Sequence, residues 1–525
     1  MSAEYKPHFP ESRDLSPRGS FVDIAGERYY QIDDVDHMAP FFVSVISSAD
    51  HWLFVSSTGG LTAGRVSPDT ALFPYITVDR IHESLPHTGP KTIVRIRRNG
   101  HGAAQRWEPF NHEHDGRYAT SRHLAKSLVG HKLRFEEINH DLGLAMRYTW
   151  ETSEAYGFVR RCELENLTEQ PLDVEFLDGL SNLLPAGTPR FTQTNSSNLV
   201  DAYKWTELNA QTGLALFTLY SGITDRAAPS ESLKANVAYS LDLDGPTRLI
   251  SNTQLEAFRR GEPLSTECHQ RGVRGAYFVQ QRLSLAAGQP LRWRLVCDLE
   301  RSQGDVVALA QALTDPSALG ARIDQSVADG GDELARIVGS CDGFQATGEE
   351  HVAAHHYANV LWNVLRGGYF PSQYQVPTHD FALTVRHFNA PAYARHRTLL
   401  DGLPDELPVW TLRERVAKAG DPQLQRLAQE YLPIAFGRRH GDPSRPWNQF
   451  SIRTRDAQGH PLYWYEGNWR DVFQNWEALA CSFPEYVEHM VAKFVNASTM
   501  DGYNPYRITK EGIDWEVEDP EDPWS

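Results

Sequence analysis

The residues from Tyr463 to Glu477 combine the side-chain types that recognise sugars. Trp464, Tyr465, Trp469 and Trp476 offer flat apolar faces to a sugar ring, while Glu466, Arg470, Asp471 and Gln474 offer charged or amide groups for paired hydrogen bonds to neighbouring hydroxyls. A structural reading has equal weight: Asn468 and Asp471 cap a helix, Arg470 is solvated and the tryptophans are core. Asp471 and Glu477 fall on different sides of a helix and do not make an acid/base pair.

Other chemistries fail on spacing. His82-Glu83 is followed by His87 across Pro86, which is not the helical spacing of a zinc protease. Gly100-His101-Gly102 leads to no third glycine, and the chain has neither a GxSxG elbow nor a phosphate-binding GxxxxGK[ST] loop. His351 and His355, next to Glu350 and His356, share one helix face without an evident third ligand. The run Asn111-His112-Glu113-His114-Asp115 reads as a solvated turn. No metal is expected. Cys162, Cys268, Cys297, Cys341 and Cys481 are far apart and odd in number, so they read as reduced packing residues rather than a disulfide framework.

The elements that must position these residues change character along the chain. From Phe21 to about Glu300, short alternating runs such as KTIVRIRRNG, GLAMRYTWE, YGFVRRCELEN, PLDVEFLDG and QPLRWRLVCDLE are separated by Gly, Asn, Asp and Pro. Period-two alternation predicts antiparallel strands, and so many without interleaved helices imply a large double sheet. After Gly304 the period becomes helical, with four helices expected in DVVALAQAL, PSALGARIDQSVA, DELARIVGS and GEEHVAAHHYANVLWNVLRGG. Pro371, Pro377, Pro391, Pro404, Pro408, Pro433, Pro443 and Pro446 then break the chain into loops and short helices such as VWTLRERVAKA and PQLQRLAQEY. Asn468 is expected to cap the amphipathic run WRDVFQNWEALACSF, and Pro484 to Ala497 a further helix. The expected organisation is a polar arm over 1–20, β-sandwich over 21–303, helical linker over 304–368, mixed connection over 369–460 and a helical segment over 461–525.

Composition excludes several classes. The net charge of -17 opposes nucleic acid and anionic lipid over most of the surface. No run approaches the apolar length of a membrane span, and the polar start has no signal-peptide core, so a cytoplasmic protein is expected.

The many-stranded sandwich, the helical linker and the motif Gly467-x-Trp469-Arg470-Asp471-x-x-Gln474 together resemble the inverting glycoside phosphorylase family of cellobiose and chitobiose phosphorylases. The resemblance implies a multidomain β plus α fold. Its parts are an antiparallel supersandwich of galactose mutarotase type, a helical linker and the beginning of an (α/α)6 barrel. It implies that Arg470 and Asp471 grip the donor sugar at the mouth of a pocket, with Trp469 and Gln474 matching the motif; Tyr465 and Trp464 are candidate substrate contacts by residue type. The implied reaction is inverting phosphorolysis of a β-linked oligosaccharide or glucan to a sugar 1-phosphate, with inorganic phosphate as co-substrate and no other cofactor. An inverting glycoside hydrolase and a noncatalytic carbohydrate-binding module are the alternatives.

The chain departs from the family pattern where Tyr463-Trp464-Tyr465-Glu466 replaces a further arginine and Asn475 an aspartate. The family's general acid falls downstream of Ser525, and no catalytic residue is assigned within the chain. Trp469, Phe473, Trp476, Leu479 and Phe483 form an apolar stripe that needs a cover. The expected partners are therefore an oligosaccharide and the remaining barrel helices from a longer chain or a second chain, with a homodimer also open, and neither nucleic acid nor membrane.

Overall fold

The computed structural model describes residues 16–97, 104–223, 232–437, 450–456 and 458–514. Residues 1–15 of the expected arm, Gly100-His101-Gly102, Pro443, Pro446 and the acidic end over 515–525 lie outside the described residues. The chain forms two compact units, one up to Asp332 and one from Glu333 onward. The division falls inside the stretch expected as linker.

The first unit is built on antiparallel sheets of eleven, five and four strands. The long sheet centres on Leu144–Ser153, Gly157–Asn166 and Leu291–Ser302, and the five-stranded sheet on Gly89–Arg97, Leu172–Leu183 and Gly275–Leu285. Alternation assigns the faces. In Gly157–Asn166, Phe158, Cys162 and Leu164 join the core between the sheets, together with Trp293, Val174, Phe176 and Leu180. Val159 and Val296 point the other way, against Leu319, Ile323 and Val327 of the helix Pro316–Gly339. The outer face of the five-stranded sheet is covered similarly, with Ile93, Leu177 and Phe278 against Leu255 and Phe258 of the helix Leu255–Arg260.

Several expectations change in detail. The run FVDIAGERYYQI is a hairpin of Arg18–Ile24 and Glu27–Asp33, turned by Ala25 and Gly26, whose positive φ values of 51° and 83° make the type I′ turn that matches strand twist. Short helices do interleave with the strands, at Val78–Glu83, Arg190–Asn195, Ser197–Tyr203 and Leu255–Arg260. Three helices, not four, follow the strands: Gln303–Ala312, Pro316–Gly339 and Glu350–Gly367. The middle one runs unbroken through Gly330-Gly331, and Gly331 allows a close approach. A Cβ on Gly331 would stand 2.7 Å from Nε2 of His131.

In the second unit Thr378–Phe388 and Ala390–Asp401 precede Val409–Lys418 and Pro422–Glu430, with a two-stranded ladder of Gln375–Pro377 and Glu406–Pro408 ahead of each pair. Pro391, expected as a break, sits in the first turn of its helix, where the missing N–H would have no partner in any case. Asn389 caps that helix by accepting from the Ala392 backbone N–H at 3.0 Å. Among the described residues, no helix is long and apolar enough to cross a membrane.

Candidate functional site

The sugar-type residues flank a small antiparallel sheet that the sequence did not disclose. Glu466–Asn468 pairs with Arg507–Thr509, which pairs with Gly512–Asp514, and the helix Trp469–Asn475 leaves directly from the first strand. The glycine of the motif has a steric reason. A Cβ on Gly467 would lie 2.9 Å from the Cβ of Val472, whose side chain folds back under the strand. Asn468 holds the N-cap position, but its side chain makes no capping bond, and its Oδ1 is buried without a partner. The Trp469 backbone N–H is instead taken by the Tyr506 carbonyl at 3.0 Å. The expected long helix is in fact two, Trp469–Asn475 and Glu477–Ser482, followed by a 3-10 turn at Pro484–Tyr486 and the helix Val487–Ala497.

The aromatic residues divide into two groups. Trp464 and Tyr465 are buried, at 8% and 2% exposure, and their faces pack on protein. The Arg453 guanidinium lies 4.6 Å over the Trp464 ring, and Tyr465 meets Trp476 edge to face at 5.5 Å. Trp476 donates from Nε1 to the Gly367 carbonyl at 3.0 Å. Trp469 is half-buried and stacks on Phe494 at 4.6 Å. The apolar stripe therefore has a cover within its own unit: Trp476, Leu479 and Phe483 are buried, and Phe483 packs against Phe370 at 5.3 Å.

The polar residues of the motif form an open face. Arg470 is 83% exposed and Asp471 38%, and their 3.6 Å separation is too long for a hydrogen bond. Gln474 is exposed one turn after Arg470, so the two lie on the same helix face. Where the mouth of a pocket was expected, the helix presents guanidinium donors, carboxylate acceptors and, one turn on, an amide toward solvent. Such a set can bind vicinal hydroxyls from one side.

The same unit holds a polar network the sequence did not reveal. Asp380 accepts from Lys510 Nζ at 2.5 Å and from the Tyr431 hydroxyl at 2.5 Å. Burial raises the Tyr431 phenol well above its ordinary range, and the Asp380 carboxylate adds to that. Burial lowers the Lys510 ammonium, which Asp380 opposes. Tyr465 borders a recess there of about 10 Å³, shared with Thr384, Lys493 and Lys510, a volume on the scale of one water molecule and too small for a sugar ring. These partners are up to 130 positions apart, so no local spacing could have announced them.

Residues 370–433 match the model of glycoside hydrolase family 149 insertion domain 1. No curated protein sequence matches the chain. Similar solved structures include a bacterial glucoamylase complexed with acarbose, at 8% identity and TM-score 0.35, covering 75% of this chain and 57% of that one. A protein from the human microbiome described as a kojibiose phosphorylase is 8% identical at TM-score 0.29, covering 63% of this chain and 36% of that one. A GalM/aldose epimerase homologue from C. elegans is 9% identical at TM-score 0.28, covering 50% of this chain and all 100% of that one. The chain thus spans 57% and 36% of the lengths of the first two.

Proposed function

We propose that this chain is part of a carbohydrate-active enzyme of the glycoside phosphorylase type and supplies donor-sugar contacts to it. The observation that carries the reading is the match of residues 370–433 to an insertion domain of a glycoside hydrolase family. The exposed Arg470, Asp471 and Gln474, with Trp469 beside them, support it by offering hydrogen-bond donors and acceptors of the kind that bind sugar hydroxyls.

The reaction is displacement at the anomeric carbon of a β-linked oligosaccharide or glucan. A phosphate oxygen attacks from the face opposite the glycosidic bond, the C–O bond to the leaving sugar breaks, and a carboxylic acid protonates the departing oxygen. The product is a sugar 1-phosphate of inverted configuration. In a hydrolase, a base-activated water would occupy the place of phosphate. Arg470 and Asp471 have binding roles in this scheme, and the acid is not assigned to them.

Incubation of the chain with inorganic phosphate and a panel of disaccharides, followed by NMR, tests the reading. Sugar 1-phosphate of inverted configuration supports it. Free sugar alone replaces phosphorolysis by hydrolysis, and saturable sugar binding without turnover leaves a binding module. Absence of both turnover and sugar binding overturns the proposal.

A further inference from the structure

Several buried, incompletely bonded polar groups gather in the β-sandwich of the first unit. A cavity of about 290 Å³ opens there, lined by Lys91, Glu108, Tyr148, Arg160, Asn252 and Arg259 among others. Its volume is far more than a bare phosphate needs and sits at the lower end of small-ligand sites.

Arg160 has no solvent exposure, and its Nη1 is committed to both oxygens of Asp178 at 2.9 and 2.8 Å. Its Nε and Nη2 are buried without an acceptor. The Tyr148 hydroxyl is likewise buried and unpartnered, with the Arg160 guanidinium 4.4 Å from the centre of its ring. Buried donors left without an acceptor are costly, so their position beside a cavity favours an acceptor there.

The remaining lining gives the acceptor its character. Lys91 Nζ donates to the carbonyls of Leu85 and Pro86 at 3.2 and 2.7 Å, and both partners are neutral. Glu108 is neutralised by Arg259 through two bonds of 3.0 and 2.8 Å. Once the Arg160–Asp178 and Arg259–Glu108 pairs cancel, the remaining charges of the lining are the half-buried Lys91 and the exposed Glu113, so the less exposed of the two is the cation. Thr92, Asn111 and Asn252 add neutral polar groups, and Phe110, Leu85 and Leu255 add apolar faces.

We infer that this cavity is a binding site for a monosaccharide carrying an oxyanion, either a carboxylate or a phosphate. The oxyanion takes the donors of Lys91, Arg160 and Tyr148, and the ring lies against Phe110 and Leu255. The inference rests on the first unit alone and stands whether or not the motif near Arg470 contacts sugar.

Calorimetric titration of the full chain with glucuronate, glucose 6-phosphate, glucose and inorganic phosphate tests it. At least one acidic sugar should bind at a single site, and roughly tenfold or more tighter than glucose or phosphate. The preferred acidic sugar identifies the oxyanion. Lys91→Gln should weaken that binding about tenfold while the free protein still unfolds cooperatively. On the unaltered chain, the same sugar should protect Lys91 from amine-reactive labelling while glucose does not, a readout that needs no variant. Failure of both acidic sugars to bind at about 10 mM, equal binding of glucose, or undiminished labelling of Lys91 overturns the inference.

Discussion

Arg160 and Asp178 meet across the β-sandwich at 2.8 Å with neither side chain exposed. They come from facing sheets, Arg160 from Gly157–Asn166 and Asp178 from Leu172–Leu183. Thr92 at 2.6 Å, Trp293 at 2.8 Å and the Cys162 thiol at 3.5 Å also donate to the carboxylate. A buried pair is weak evidence for stability in itself, but breaking one leaves a charge in a low dielectric. Arg160→Met and Asp178→Leu should each destabilise the chain by about 3–5 kcal/mol in urea denaturation. The double variant should cost less than the sum of the two. Strict additivity would show that the pair is not coupled.

The contact between Trp476 and Gly367 leads to a packing prediction. A Cβ on Gly367 would lie 2.9 Å from Cδ1 of Trp476 and 3.0 Å from the Asn475 carbonyl oxygen. Gly367→Ala should therefore lose about 1–3 kcal/mol, although alanine favours a helix, because the overlap outweighs propensity. A stability gain on thermal melting would contradict the close approach.

Acid should weaken both units through one buried histidine in each. Burial lowers His131 and His489 to about 4. His489 donates from Nδ1 to the Tyr431 carbonyl at 2.9 Å, which fixes its neutral tautomer. A histidine with an ordinary pKa near 6.5 when unfolded takes up a proton in that state first, so stability falls as pH drops from 6.5 to 4 and then levels. Each site contributes on the order of 3 kcal/mol over that window. His489→Gln should flatten the profile of denaturation midpoint against pH; a profile as steep as that of the parent chain assigns the effect elsewhere.

Arg470→Ala and Asp471→Asn should leave stability within about 0.5 kcal/mol, since both side chains are solvated at a 3.6 Å separation. If they grip the donor sugar, kcat/KM for phosphorolysis should fall by roughly a hundredfold in each. Unchanged kinetics in both variants would remove them from the site.

Local pattern alone determined that a long antiparallel β region precedes a helical one, because strand and helix periods are written in consecutive residues. It also held a signal for the buried pair. Phe158, Arg160, Cys162 and Leu164 share one strand parity, as do Val174, Phe176, Asp178 and Leu180, so the charged residue in each set had to face the core. Tertiary packing decided the rest. Nothing near Gly331 in the sequence indicates that His131 approaches it, and nothing near Trp464 or Tyr465 indicates that protein rather than a sugar covers their faces. Lys91, Tyr148, Arg160 and Arg259 surround one cavity only because sheets and helix converge there. Burial and charge pairing depend on neighbours distant in the chain, which a one-dimensional pattern does not contain.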